Sequence, residues 1–158
     1  MLEGLQIIRD DLTGKEIAEL LQTHIDDMRA TSPPESKHAL DLDGLRQPDI
    51  TFWSVYDGDQ LVGCGALKAL SADHGEIKSM RTGADARGRG VGSAMLQHII
   101  AEARRRGYTR LSLETGSMAF FQPAHRLYRR HGFTECPPFA EYTDDPNSLF
   151  LELVLCRD

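Results

Sequence analysis

The run Arg87-Gly88-Arg89-Gly90-Val91-Gly92 constrains the fold more than any other stretch of the chain. It sits where the hydrophobic period changes. Before it, residues 76–82 read as an extended run. After it, Val91, Met95, Leu96, Ile99, Ile100 and Ala103 recur at helical spacing. A strand therefore passes into a helix across three alternate glycines. Glycine has no Cβ, so the backbone there can approach a ligand closely. The first N–H groups of a helix are unpaired and carry the positive end of its dipole. Two arginines add charge. The combination favours an anion, and its physical reading is a cradle for a phosphate or pyrophosphate.

Two common cradles fit poorly. A Walker loop needs G-x-x-x-x-G-K-[ST]. Gly83 and Gly88 have the glycine spacing, but Arg89-Gly90 stand where the lysine and hydroxyl belong. A dinucleotide fingerprint needs G-x-G-x-x-G. Here the third glycine comes one residue early, residue 93 is Ser, and no early βαβ unit precedes it.

The rest of the chain supplies the frame. Ile7 and Ile8 mark a short first strand. Thr13 with Glu16 has capping-box spacing, and Ile17, Leu20, Leu21, His24, Ile25 and Met28 follow at helical intervals. Ser32-Pro33-Pro34 ends that helix, and a shorter helical stretch spans 35–45. Residues 50–56 and 61–67 read as a hairpin around Asp57-Gly58-Asp59. After the helix that begins at Val91 and stops at Gly107, residues 111–113 read as a strand. Residues 124–131 read as a helix closed by Gly132, and 133–138 and 149–155 as the last two strands. The order β-α-α-β-β-β-α-β-α-β-β predicts a mixed α/β fold, in which three successive strands pair antiparallel. A chain of 158 residues without a long linker suits one domain, 1–158.

Charge narrows the function. The net charge of -6 argues against a nucleic-acid partner. It is unevenly spread: -8 over residues 1–60, +7 over 61–130 and -5 over 131–158. No apolar run approaches the ~18 residues that would cross a bilayer, so no membrane partner is expected. The start Met1-Leu2-Glu3-Gly4 lacks a secretory pattern. Cys64, Cys136 and Cys156 are odd in number and form no C-x-x-C pair, which suits a reduced, cytoplasmic setting. The six histidines show no H-E-x-x-H spacing, so no metal is expected.

Arg87, Gly90 and Gly92 satisfy the pattern [Q/R]-x-x-G-x-[G/A]. With the strand before and the helix after, this resembles the GNAT superfamily of N-acetyltransferases. Leu127-Tyr128-Arg129-Arg130-His131-Gly132-Phe133 is similar to the superfamily's L-Y-x-x-x-G-F signature. Specific motifs cover residues 60–135. The resemblance implies a mostly antiparallel twisted sheet of about seven strands, splayed in the middle, with helices on both faces.

It also implies acetyl-CoA as co-substrate. The pyrophosphate would lie on backbone amides of Arg87, Gly88, Arg89, Gly90, Val91, Gly92 and Ser93. The pantetheine arm would run along the backbone of Met80, Arg81 and Thr82. Tyr128 corresponds to the tyrosine that serves the departing thiolate, and Glu76 to a general base on the strand before the loop. Gln122 is the nearest counterpart of an asparagine that contacts the cofactor. The run from Pro33 to Leu42 resembles that of a subgroup of small bacterial acetyltransferases, which places Ser36 and His38 toward the acceptor. The expected activity is acetyl transfer to a primary amine, on a small molecule, by direct attack in a ternary complex. A protein lysine or N-terminus, or a non-catalytic acyl-CoA sensor, are the alternatives. Many relatives dimerise, which leaves a homodimer open.

Overall fold

The computed structural model describes residues 5–31, 42–83 and 90–155. The elements run β1 (Leu5–Arg9), α1 (Lys15–Thr31), α2 (Leu42–Leu45), β2 (Ile50–Asp57), β3 (Gln60–Ala69), β4 (His74–Thr82), α3 (Val91–Arg105), β5 (Arg110–Gly116), α4 (Gln122–Arg130), β6 (Thr134–Glu135) and β7 (Ser148–Val154). A 3-10 turn, Ala119–Phe121, precedes α4. This is the expected order of elements. All seven strands form one sheet, in the order β1-β2-β3-β4-β5-β7-β6. Every pairing is antiparallel except β4 with β5. A parallel pair needs a crossover, and α3 supplies it.

Strand alternation divides the core into two layers. Trp53, Val55, Leu67, Ile77, Leu111, Leu113 and Leu151 face α3 and pack with its Val91, Met95, Leu96, Ile99, Ile100 and Ala103. Burying each of the larger side chains stabilises the fold by about 1.5–3 kcal/mol. Ile50, Phe52, Cys64 and Ala66 face the other way and pack with Ile17 and Leu21 of α1 and Leu45 of α2. Helices therefore cover both faces.

Two glycines set the distance between α3 and the sheet. A Cβ on Gly63 would lie 2.8 Å from Val91 Cγ1, and one on Gly65 would lie 2.8 Å from Met95 Cγ. Only a bare backbone lets the helix sit this close.

Three local expectations need correction. Thr13 does not cap α1. Its hydroxyl donates to Asp11 Oδ1 at 2.7 Å. The helix begins at Lys15, so Gly14 holds the cap position and Thr13 lies one residue too early to serve it. Of the stretch 35–45, residues 35–41 lie outside the described residues, and Leu42–Leu45 is helical. The side chains of His24, Ile25 and Met28, and residue Cys156, lie outside the described residues. The third strand begins at His74, two residues before the expected start. Finally, β6 ends at Glu135, not at residue 138. Cys136 N still donates to the Phe150 carbonyl at 2.9 Å. Pro137 and Pro138 have no N–H to continue the ladder.

Candidate active site

The parallel pairing of β4 with β5 stops at Ile77 opposite Leu113. Both strands run on, β4 to Thr82 and β5 to Gly116, without pairing each other. On its other side β4 stays bonded to β3, with Ala66 opposite Lys78, Cys64 opposite Arg81 and Gly63 opposite Thr82. That ladder slips by one residue between Cys64 and Ala66, where Ser79 adopts a φ of 53°. The bulge bends β4 away from β5. A wedge opens between the two strands, with the edge of β4 presenting its backbone to it.

The wedge widens into a cavity of about 100 Å³, lined among others by Glu76, Lys78, Met80, Glu114, Tyr128 and Tyr142. Glu76 is 2% exposed. It stands on the α1 face of the sheet, since its neighbour across β3 is Lys68 and across β5 is the buried Ser112. Its Oε2 accepts a hydrogen bond from the Tyr142 hydroxyl at 2.6 Å and another from Lys78 Nζ at 3.1 Å. Lys78 Nζ also donates to the Tyr142 oxygen at 2.9 Å. These three groups form a closed triangle. Burial, then the nearby Glu76 charge, pushes the Tyr142 phenol well above its ordinary range.

Tyr128 approaches from the opposite face. Its ring belongs to the α3-side core and packs against Phe133 at 5.8 Å between centroids. Burial raises its phenol to about 12. No hydrogen-bond partner for its hydroxyl occurs among the described residues. A tyrosine placed for core stability would bond a carbonyl; this one presents its oxygen to the cavity instead. The α4 helix that carries it is pinned by His125, whose Nε2 lies 2.7 Å from the Gly116 carbonyl at the end of β5.

The other sequence-predicted residues divide into four groups. Met80 lines the cavity, and Thr82 pairs with Gly63 beside it. Gly90 is the N-cap of α3 at φ 80°, with no side-chain cap bond. The first-turn amides of Val91, Gly92 and Ser93 therefore keep the character of an anion site, while the Val91 side chain is buried. The Ser93 hydroxyl lies 3.0 Å from His131 Nε2. Gln122 is exposed at the first position of α4 and does not line the cavity. Arg87, Gly88, Arg89, Ser36 and His38 lie outside the described residues.

For Arg81 the resemblance implies only a backbone contact, and its side chain is engaged elsewhere. Its guanidinium bonds Asp27 of α1 and is only 10% exposed, so its charge is held inside the fold and not offered to an anionic coenzyme. Its Nε is buried without a partner among the described residues. Only its backbone remains available to a ligand.

Lys78, Tyr142 and Glu114 were missed by sequence reasoning. Lys78 could have been found, because residues two apart on a strand share a face with Glu76. Glu114 follows likewise from Ser112. No local signal marks Tyr142, which lies 66 positions from Glu76. Among the described residues, no group of His, Cys, Asp and Glu is placed to hold a metal. No helix there is long and apolar enough to cross a membrane.

A sheet splayed at a parallel pair, with an uncapped glycine-led helix at its mouth, defines a class of acyl-CoA-dependent transferase. Residues 17–133 match the acetyltransferase (GNAT) family, and the chain belongs to it. The chain is accordingly an acetyl-CoA-dependent N-acetyltransferase. It is 59% identical over 142 residues to the uncharacterized N-acetyltransferase YsnE of Bacillus subtilis, covering 90% of this chain and 94% of that protein. It is 39% identical over 138 residues to an IAA acetyltransferase of Azospirillum brasilense, covering 87% of each. In fold it resembles a GNAT acetyltransferase of Elizabethkingia anophelis whose crystal structure has acetyl-CoA bound. The TM-score is 0.68 at 16% identity, covering 97% of this chain and 99% of that one.

Proposed function

We propose that this enzyme transfers an acetyl group to a primary amine on a small molecule, by direct attack while both substrates are bound. One observation carries the reading. Glu76 and Tyr128, reaching in from opposite faces of the sheet, line the same cavity where β4 and β5 part.

The residues present fit acetyl-CoA. The uncapped first turn of α3 suits its pyrophosphate, and the unpaired edge of β4 from Lys78 to Thr82 suits its amide-bearing arm. When bound, it supplies a thioester carbonyl open to nucleophiles. The chain's own groups then have defined tasks. An alkylammonium must lose a proton before it can attack, and the Glu76 carboxylate accepts that proton. Backbone N–H groups on the open β4 edge are the donors available to the oxygen that gains charge during attack. A C–N bond forms, the C–S bond breaks, and the remaining surplus proton on nitrogen leaves to water. The sulfur takes a proton from the Tyr128 phenol, which regains one from solvent. Overall one ammonium proton is released, one amide forms and one thiol is freed. With its phenol held near 12, Tyr128 stays protonated until the thiolate needs it.

A small acceptor is supported by the size of the cavity and by its cover, the segment 136–147, which carries Tyr142 over Glu76. The name of the Azospirillum relative, an IAA acetyltransferase, points the same way. The test is a thiol-release screen of amines with acetyl-CoA, run beside Tyr128→Phe and Glu76→Gln. Turnover of small amines with loss in both variants supports the reading. Binding of acetyl-CoA without turnover of any amine favours a sensor, and turnover only of peptide amines favours a protein acceptor.

A further inference from the structure

We infer that Tyr142 is a positioning residue of the transfer reaction: from the segment between β6 and β7 it fixes the Glu76 carboxylate in the orientation that proton removal requires. This rests on the reading of Glu76 as the base and assigns a role to a residue that the reading does not use.

The geometry is specific. Both hydrogen bonds to the Glu76 carboxylate fall on Oε2, from Tyr142 at 2.6 Å and Lys78 at 3.1 Å. Oε1 has no partner among the described residues. A carboxylate held by one oxygen cannot rotate freely, so its other oxygen is presented in a fixed direction. Oε1 is therefore the atom that takes the proton. Tyr142 is suited to holding because its phenol is displaced far upward and remains a donor across the working pH range. Lys78 completes the triangle by donating to the Tyr142 oxygen at 2.9 Å, and its ammonium lies 5.6 Å from the Tyr142 ring centroid.

Tyr142 is held in turn by packing. Its ring meets Phe139 at 5.1 Å and Phe150 at 5.5 Å, and Phe139 meets Phe150 at 6.0 Å. This aromatic cluster fastens the segment 136–147 to β7. The phenol therefore arrives from a platform separate from the strand that carries Glu76. A merely structural tyrosine in this cluster would need no bond to a buried carboxylate.

Tyr142→Phe is the informative substitution, because it keeps the ring and removes only the hydroxyl. Loss of one donor makes the carboxylate easier to protonate, so the acid limb of kcat/KM moves to higher pH. Other charged or titratable groups face or flank Glu76: Lys68, His74, Lys78, Glu114 and Tyr128. His74 titrates below its ordinary value because of burial and Arg110, so the pH shift needs a second control. The control is the double variant with Glu76→Gln, in which the hydroxyl has no carboxylate to hold.

The expected result is a fall in kcat of about tenfold for Tyr142→Phe, with the acid limb displaced upward. The affinity for acetyl-CoA, measured by calorimetry, and the melting temperature stay near wild type. In the Glu76→Gln background, Tyr142→Phe causes no further loss. If Glu76→Gln abolishes turnover but Tyr142→Phe leaves kcat and the acid limb unchanged, Tyr142 has no positioning role. If Tyr142→Phe lowers kcat equally in both backgrounds, its effect is structural and the inference falls. If Glu76→Gln itself is silent, the base assignment fails and this inference fails with it. Should Tyr142→Phe fold poorly, Lys78→Met reads out the same triangle, with the same upward movement of the acid limb expected and a fixed limb counting against it.

Discussion

Tyr128 and Glu76 differ in how the fold leaves them. The Tyr128 hydroxyl has no described partner, while Glu76 has two on one oxygen. The Tyr128 side chain opens on the cavity and its hydroxyl holds no described bond, so Tyr128→Phe should leave the melting point near wild type. The same change should lower kcat by about 10–100-fold. With the phenol near 12, its ionisation lies above the assay range. The pH profile of Tyr128→Phe should therefore run parallel to that of wild type, displaced downward only. A changed shape on the alkaline side would remove the acid role. Cys64 is not placed for this chemistry: burial lifts its thiol to about 12, and it donates to the Ser79 carbonyl at 3.2 Å.

At the scale of elements, the two glycines of β3 decide how α3 meets the sheet. Gly65→Ala would push a methyl group against Met95 Cγ, Met95 Sδ and Ile99 Cδ1, all within 3.2 Å. Overpacking of this kind costs about 1–3 kcal/mol. Thermal unfolding should show a drop of several degrees, about 3–10 °C, and an unchanged melting point would mean that α3 can shift without cost. Elements of this sort were legible in the sequence where a single period ran long enough. Val91 through Ala103 announced α3, and the β-branched run 50–56 announced β2. Short or competing signals failed. Thr13 and Glu16 have capping spacing, but the helix starts at Lys15, one residue too late for Thr13 to cap it. Residues 133–138 read as one strand, but the ladder ends at Glu135, since Pro137 and Pro138 have no N–H to extend it. Tyr142 was illegible because nothing local relates it to β4; the segment 136–147 has neither period, and only the folded sheet brings it to Glu76.

At the scale of the molecule, the charge blocks fold onto each other. Asp27 from the acidic first third pairs with Arg81 of the basic middle, and Glu152 from the acidic end lies 3.7 Å from Arg110. Part of the segmental charge is thus used within the fold, and the remainder acts outward. For a cationic amine, kcat/KM should fall about two- to threefold as ionic strength rises from about 20 to about 200 mM. A flat dependence would show that the acidic segments do not draw in the acceptor. The bulge in β4 has a consequence of its own. Strand side chains keep a strict parity, odd to one face and even to the other. One inserted residue reverses that parity, so Arg81, which would otherwise point toward α3, shares the α1 side with Glu76 and Lys78. The strand is read in two frames, one on each side of Ser79. A one-residue deletion at that point would leave Glu76 and Lys78 where they are and invert Arg81 and Thr82 together, turning a guanidinium against the apolar helix and parting it from Asp27. For this strand, length matters as much as composition: the fold tolerates an exchange of residue 79 far better than its loss.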